Sequence, residues 1–181
     1  MSEFKFVQWG KGTPVDYQRL NAMMLNEQYL KDIVDATPRG ILLWKEIPGF
    51  SINPTGGYDS IPNLSNLTFD VEEDRVVSLT FYPGTISDIT PIGVADISFG
   101  FFLDNAVTPV KQAGGYWVFD GRGTSTTVAY VTPVALSKGT HTVSVLLQGN
   151  TSITSANIGI NHGSNPILIV RDEGRFVSAS S

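Results

Sequence analysis

The chain has 181 residues, 41% hydrophobic and 16% charged, with a net charge of -5 and no cysteine. That composition supports a packed core and excludes a disordered chain, a disulfide framework, a thiolate metal site and a cysteine nucleophile. An acidic balance with no basic run also argues against nucleic acid as a partner, because sequence-independent binding needs a cationic surface to displace counterions.

The start, Met1-Ser-Glu-Phe-Lys-Phe6, lacks the basic-then-apolar order of a secretory leader. The longest apolar runs, 41–44 and 167–170, are far too short to span a bilayer, so no membrane partner is expected. Asn63, Asn66 and Asn150 each open an Asn-x-Ser/Thr triplet, and with no sign of secretion these read as chance matches.

Residues 1–12 carry Phe4, Phe6 and Trp9 and end in Gly10-Lys-Gly12. Three aromatics in so short a segment suit either an anchoring arm or a terminal strand added to the chain's own sheet. A helix is predicted over 14–35. Thr13 is a good N-cap, Pro14 suits the first helical position and Asp16 stands where a capping box has its acid. Thr37-Pro38 stops the helix, since the residue before proline is driven out of the helical region.

Leu20, Met23, Glu27, Leu30 and Val34 follow a 3-4-3-4 spacing, and Met24 and Ile33 widen the stripe. The spacing is coiled-coil-like for barely two heptads, with Glu27 spoiling one core position. An amphipathic helix lying on its own domain fits this pattern. So does a helix packed on copies of itself or on another protein.

From Gly40 the pattern changes to short strands and turns. Strands are predicted at 40–46, 67–71, 75–82, 94–103, 107–111, 116–120, 126–136, 140–147, 152–161 and 166–172. Residues 47–65, rich in Pro, Gly, Asn and Ser, read as a long surface loop. Turns are expected at Glu72-Glu-Asp74, Asp104-Asn105, Gly114-Gly115 and Lys138-Gly139, among others. Thr142-Val-Ser-Val145 alternates cleanly, as a half-buried antiparallel strand does. The runs 97–103 and 167–170 are apolar on both faces, so those strands are central or covered by another subunit. The expected architecture is mainly β: a jelly-roll-like antiparallel β-sandwich preceded by an N-terminal arm and one α-helix. The boundaries fall at 1–39 for the arm and helix, 40–176 for the sandwich and 177–181 for a tail.

Signals for chemistry are poor. His141 stands at a strand start and His162 in a turn, and neither has a visible partner or metal-ligand spacing, so both read as structural. Glu72-Glu73-Asp74 is a carboxylate run in a turn, and adjacent carboxylates there normally face water. No catalytic residue, cofactor or metal is expected. Tyr58, Tyr116 and Trp117 are candidates for contacting a sugar through outer loops. A Trp117/Phe119 pair on one strand face is more often core, given the area such rings bury.

Three stretches in order carry a family resemblance. They are Phe6-Val-Gln-Trp9-Gly10 with Thr13-Pro14 and Tyr17-x-x-Leu20-Asn21-x-Met23; Thr37-Pro-Arg-Gly-Ile-Leu42 leading to Leu64-Ser-Asn-Leu-Thr-Phe69 and Arg75; and Gly139-Thr-His-Thr142 with Pro166-Ile-Leu-Ile-Val170-Arg-Asp172-Glu-Gly174. Over roughly residues 4–176 the chain resembles a family of small virion proteins of tailed bacteriophages, found as capsid decoration or minor tail components. It departs from that pattern at 94–136. The resemblance implies a jelly-roll-like sandwich, usually a homotrimer, without enzymatic activity, placed on the virion after assembly in the host bacterial cytoplasm. Its partners would be sibling subunits, major capsid or tail proteins and, in a receptor-binding variant, a host surface glycan. The residues expected to attach or assemble are Phe4, Phe6, Trp9, Leu20, Met23, Met24, Leu30 and Val34.

Overall fold

The computed structural model describes residues 17–90, 93–119, 130–149, 153–160 and 165–175, and the chain divides into two compact units, Met1–Pro38 and Arg39–Ser181. In the first unit, α1 runs Tyr17–Ala36. Its end is built as Pro38 requires: the Thr37 hydroxyl donates to the Ile33 carbonyl at 2.9 Å, and the Thr37 N–H donates to Val34 at 3.2 Å. Gln28 donates to Asp32 one turn on, at 2.7 Å. Phe4, Phe6, Trp9 and the expected cap at Thr13 lie outside the described residues.

The apolar residues of α1 do not form a single stripe. At 3.6 residues per turn, Leu20, Met23, Met24, Leu30 and Val34 share one side. Ile33 widens that stripe at its Leu30 edge, three residues on, beside Ala22, Asn26 and Tyr29, and Leu25 lies on the opposite side. Leu25 and Ile33 are exposed like the residues of the first side, while Ala22, Asn26 and Tyr29 are half-buried.

In the second unit twelve strands are described: β1 (Gly40–Glu46), β2 (Phe50–Ile52), β3 (Tyr58–Ser60), β4 (Leu67–Val71), β5 (Arg75–Tyr82), β6 (Ile86–Thr90), β7 (Gly93–Leu103), β8 (Lys111–Phe119), β9 (Tyr130–Leu136), β10 (Gly139–Gly149), β11 (Ser155–Ile158) and β12 (Ile167–Arg175). One sheet has the order β1-β12-β5-β9. A second has β3-β10-β7-β8, with β4 also paired to β10. A third, small one is β2-β11-β6. Every pairing is antiparallel. The described residues are mainly β with one helix, and the body is sandwich-like.

The alternation seen in the sequence explains the two large sheets. On β10, Val143, Val145 and Leu147 point inward, as do Val77, Leu79 and Phe81 on β5 and Leu168 and Val170 on β12; all are fully buried. Ile97, Phe99 and Phe101 complete the layer from β7, and the rings of Phe81 and Phe99 meet edge-on across the core at 5.1 Å. Ile86, Ala156 and Ile158 of the small sheet join the same cluster.

Several local expectations change. Residues 47–65 are not simply a surface loop, since they hold β2 and β3 and send Ile47, Ile61 and Leu64 into the core. The segment 107–110 is irregular, and the strand expected at 107–111 begins only at Lys111. Gly114-Gly115, expected as a turn, lies inside β8 opposite Ser98 and Ile97, so the strand expected at 116–120 is the end of a longer one. The outward side of β7 is covered by the chain itself. Phe102 meets Tyr58, and a Cβ on Gly100 would stand 2.9 Å from Phe102 Cε2, 2.9 Å from Tyr58 Cε1 and 3.2 Å from Pro109 Cβ. Only glycine fits there without moving those neighbours.

Candidate functional site

The first candidate is the apolar surface of α1. A globular surface helix normally shows one apolar side, and a helix that is apolar all round is a buried one. Here Met24 is 67% exposed, Val34 65% and Leu20 47%, while Ile33 at the stripe's edge and Leu25 on the far side are exposed too. Most of a helix's stability in a protein comes from what packs against its apolar face, and α1 has 20 residues with that face exposed. Of the eight residues expected to attach or assemble, Leu20, Met23, Met24, Leu30 and Val34 share one exposed side of this helix, and Phe4, Phe6 and Trp9 lie outside the described residues.

The second candidate is a charged cluster at the start of the β unit. Arg39 donates its backbone N–H to Asp172 Oδ2 at 3.0 Å, and its guanidinium engages Glu72 and, at 3.1 Å, Glu73. Arg75 is 2% exposed, with Nε 3.9 Å from Asp172 Oδ2 and Nη2 3.8 Å from Glu73 Oε2. Asp172 also accepts the Gly174 N–H at 2.7 Å, which the bulge after Asp172 and a φ of 112° at Gly174 allow. Arg39, Glu72, Arg75 and Asp172, with Leu42, Asp70 and Val71, line a cavity of about 170 Å³.

The cluster joins β1, the β4–β5 turn and β12 through oppositely charged groups. Burying charges this deeply is costly unless they are paired and hydrogen-bonded. Glu72-Glu73-Asp74 is therefore not a merely solvated turn. Glu72 and Glu73 face arginines, and Asp74 accepts the Lys138 N–H at 3.0 Å. Carboxylates committed in this way serve the scaffold.

The third candidate surrounds His141, which has the partner its sequence context concealed. Asp104 and Asn105 take φ values of 51° and 60°, and Ala106 N–H bonds the Leu103 carbonyl at 2.9 Å. This is a tight turn of the kind that needs Asn or Asp in the left-handed region. It aims the Asp104 carboxylate at β10, where Oδ2 stands 2.9 Å from His141 Nδ1 and Oδ1 accepts the Thr142 N–H at 2.9 Å. His141 Nε2 stands 2.8 Å from the Ser137 carbonyl.

Burial pulls the His141 pKa down. The hydrogen bonds to Asp104 and Ser137 and the carboxylate's charge outweigh it, and the net direction is upward. Burial likewise works against the Asp104 carboxylate, but the Thr142 N–H and the His141 ring hold its pKa below the ordinary range. Both ring nitrogens are occupied by acceptors. Among the described residues no group of three or more His, Asp or Glu is placed to hold a metal ion.

The sugar-contact candidates are spread apart. Tyr58, on β3, is half-buried, with its ring edge-on to Phe102 at 5.0 Å. Burial raises its phenol pKa. Tyr116 and Trp117 occupy β8 positions opposite Asp96 and Ala95. No described helix is long and apolar enough to cross a membrane, which says nothing about membrane barrels.

No protein-family model matches the chain, and no curated protein matches it. Among solved structures, one of infectious bursal disease virus, Gx strain, aligns with 76% of the chain at 13% identity and a TM-score of 0.30. The alignment spans 38% of that structure's chain. At that TM-score the likeness carries no structural argument.

Proposed function

We propose that the chain is a non-enzymatic structural protein of a bacteriophage particle, a homotrimer that decorates the capsid and is anchored by its N-terminal arm and helix. The observation that carries this reading is the contrast between the two units. Among the described residues the β unit encloses a core of its own and sets its buried Arg75 beside Glu73 and Asp172. The helix leaves Leu20, Met23, Met24, Leu30 and Val34 exposed, a face whose burial against a partner would supply most of a helix's stability.

Sibling helices are the simplest such partner, because oligomers of soluble proteins are mostly symmetric copies of one chain. The ordered motifs quoted above add the expectation of a phage particle. Its assembly partners are then the major capsid or tail proteins, and its location is the virion surface.

Imaging of intact particles with antibody or gold label on the β unit tests the reading. Label at regular capsid positions in threefold copy number supports it. Label confined to the tail tip, with glycan binding by the purified protein, replaces it with a receptor-binding role for the same fold. Purified protein that is monomeric at micromolar concentration by light scattering overturns the trimer.

A further inference from the structure

Both acceptors around His141 are acceptors only. The Ser137 carbonyl has no proton to give, and an ionised carboxylate has none either. A neutral imidazole carries one N–H and one lone pair, so it can satisfy one of these two partners and would press its lone pair against the oxygen of the other. At 2.8 and 2.9 Å the observed geometry fits a ring with a proton on each nitrogen. His141 is 8% exposed, so water has little access to its ring.

The groups on the elements packed around the ring can be named. Phe69 of β4 lies alongside at 5.9 Å between ring centroids. Asp70, the next residue on β4, accepts from Thr140 at 2.7 Å. Asp74, in the β4–β5 turn, and Lys138, in the β9–β10 turn, are joined through the Lys138 N–H. Asp104 is the charged group in contact with the ring.

We propose that His141 is a proton-operated staple: doubly protonated, it pins the turn after β7 to the turn before β10, and loss of a ring proton releases one of the two. The segment at stake is 104–110. It holds the exposed Val107 and Val110 and places Pro109 over the outward side of β7, where the Val110 N–H bonds the Phe101 carbonyl at 2.8 Å.

The sign follows from linkage. A proton held more tightly in the folded chain stabilises fully below the ordinary imidazole value of about 6.5 and stops doing so as pH rises through the folded value. Asp104 works the other way: its contribution is present above the ordinary carboxylate value and is lost as pH falls through its depressed one. The staple is closed between those two limits and opens on the alkaline side by loss of the histidine proton.

The test uses the full chain carrying His162→Gln, which leaves His141 as the single histidine, since the sequence has 2. Ring resonances are titrated by NMR in this parent and in Asp104→Asn. Amide exchange at Ala106 and Val110 is followed across the same pH range relative to Val145, whose N–H bonds the Leu64 carbonyl at 2.9 Å in the core. The expected result is a parent midpoint above about 6.5, a lower midpoint in Asp104→Asn, and loop exchange that rises relative to Val145 as pH passes the midpoint. In His141→Gln the relative exchange should not change with pH. A parent midpoint at or below that of free imidazole overturns the proposal. So does a raised midpoint through which relative loop exchange stays flat. Should Asp104→Asn fail to fold, the parent midpoint and exchange ratio decide the matter alone.

Discussion

If one side of α1 joins the subunits, two charges placed on it will take the assembly apart. The perturbation is Met24→Glu with Val34→Glu, at the two most exposed positions of that side. Fully burying a large apolar side chain is worth ~1.5–3 kcal/mol, and residues left roughly half exposed have about 1 kcal/mol each still to gain. Leu20, Met23, Met24, Leu30 and Val34 together then offer ~5 kcal/mol per helix, or ~15 kcal/mol for three. Bringing two further subunits onto the first costs ~4–15 kcal/mol each. The helices therefore hold a trimer only near the low end of that cost, and the balance is sensitive. Removing two residues from each of three copies forfeits ~6 kcal/mol, about four decades in the association constant, before any charge repulsion. Sedimentation equilibrium at micromolar concentration should give trimer mass for the parent and monomer mass for the variant, with unchanged far-ultraviolet β signal in both. A variant that keeps full trimer mass would sink this account of the interface.

Two further outcomes are expected. Removing residues 1–38 should leave a folded β unit with a cooperative melt close to the parent's, monomeric by light scattering and unable to occupy particles; full occupancy by the truncated protein would refute the division of labour between the units. Asp172→Ala should cost ~3–5 kcal/mol in urea unfolding, because it removes the buried carboxylate beside Arg75 and the acceptor of the Arg39 and Gly174 N–H groups, whereas Arg75→Met with Asp172→Leu should cost far less than the sum of the single changes. Additive single costs would show that the pair does not act as a unit.

Much of the architecture was legible because it rests on local rules. Strands 40–46, 67–71 and 75–82 lie where turn residues and apolar runs placed them, and the helix ends where Thr37-Pro38 required. The failures have a common cause in contacts between distant residues. Gly114-Gly115 reads as a turn in isolation, yet β7 supplies a partner along its whole length and draws both glycines into β8. Residues 47–65 look solvated by composition, but pairing of β2 and β3 with strands distant in sequence turns Ile47 before them and Ile61 and Leu64 after them inward. His141 appeared to lack a partner because Asp104 lies 37 residues away and is aimed by an unusual pair of positive φ angles. Arg75, Glu73 and Asp172 were each visible as residues, but the bulge that brings Asp172 to Arg39 and Arg75 is a property of sheet register. On the helix, the heptad was legible and its insufficiency was not. Leu25 and Ile33 matter because they fall outside it.

That second side of the helix allows the two proposed roles to be separated. One apolar side cannot both join sibling helices and seat on the particle, since the same methyl groups cannot be buried twice. If Leu20, Met24 and Val34 face the siblings, then Leu25 and Ile33, exposed outside that trio, are free to meet the particle together with the arm. Two half-exposed residues supply only ~2 kcal/mol, weaker than millimolar for one helix. Three helices held in one trimer make the second and third contacts intramolecular, which raises overall avidity by about 10²–10⁴ without any new contact. The expected outcome is an asymmetry between variants. Leu25→Glu with Ile33→Glu should leave the trimer mass unchanged and reduce occupancy on particles at least tenfold. Met24→Glu with Val34→Glu should lose both, because monomers forfeit the avidity. Quantitative labelling of particles at matched protein concentrations reads the difference, and loss of the trimer in the Leu25/Ile33 variant would assign that side to the siblings instead.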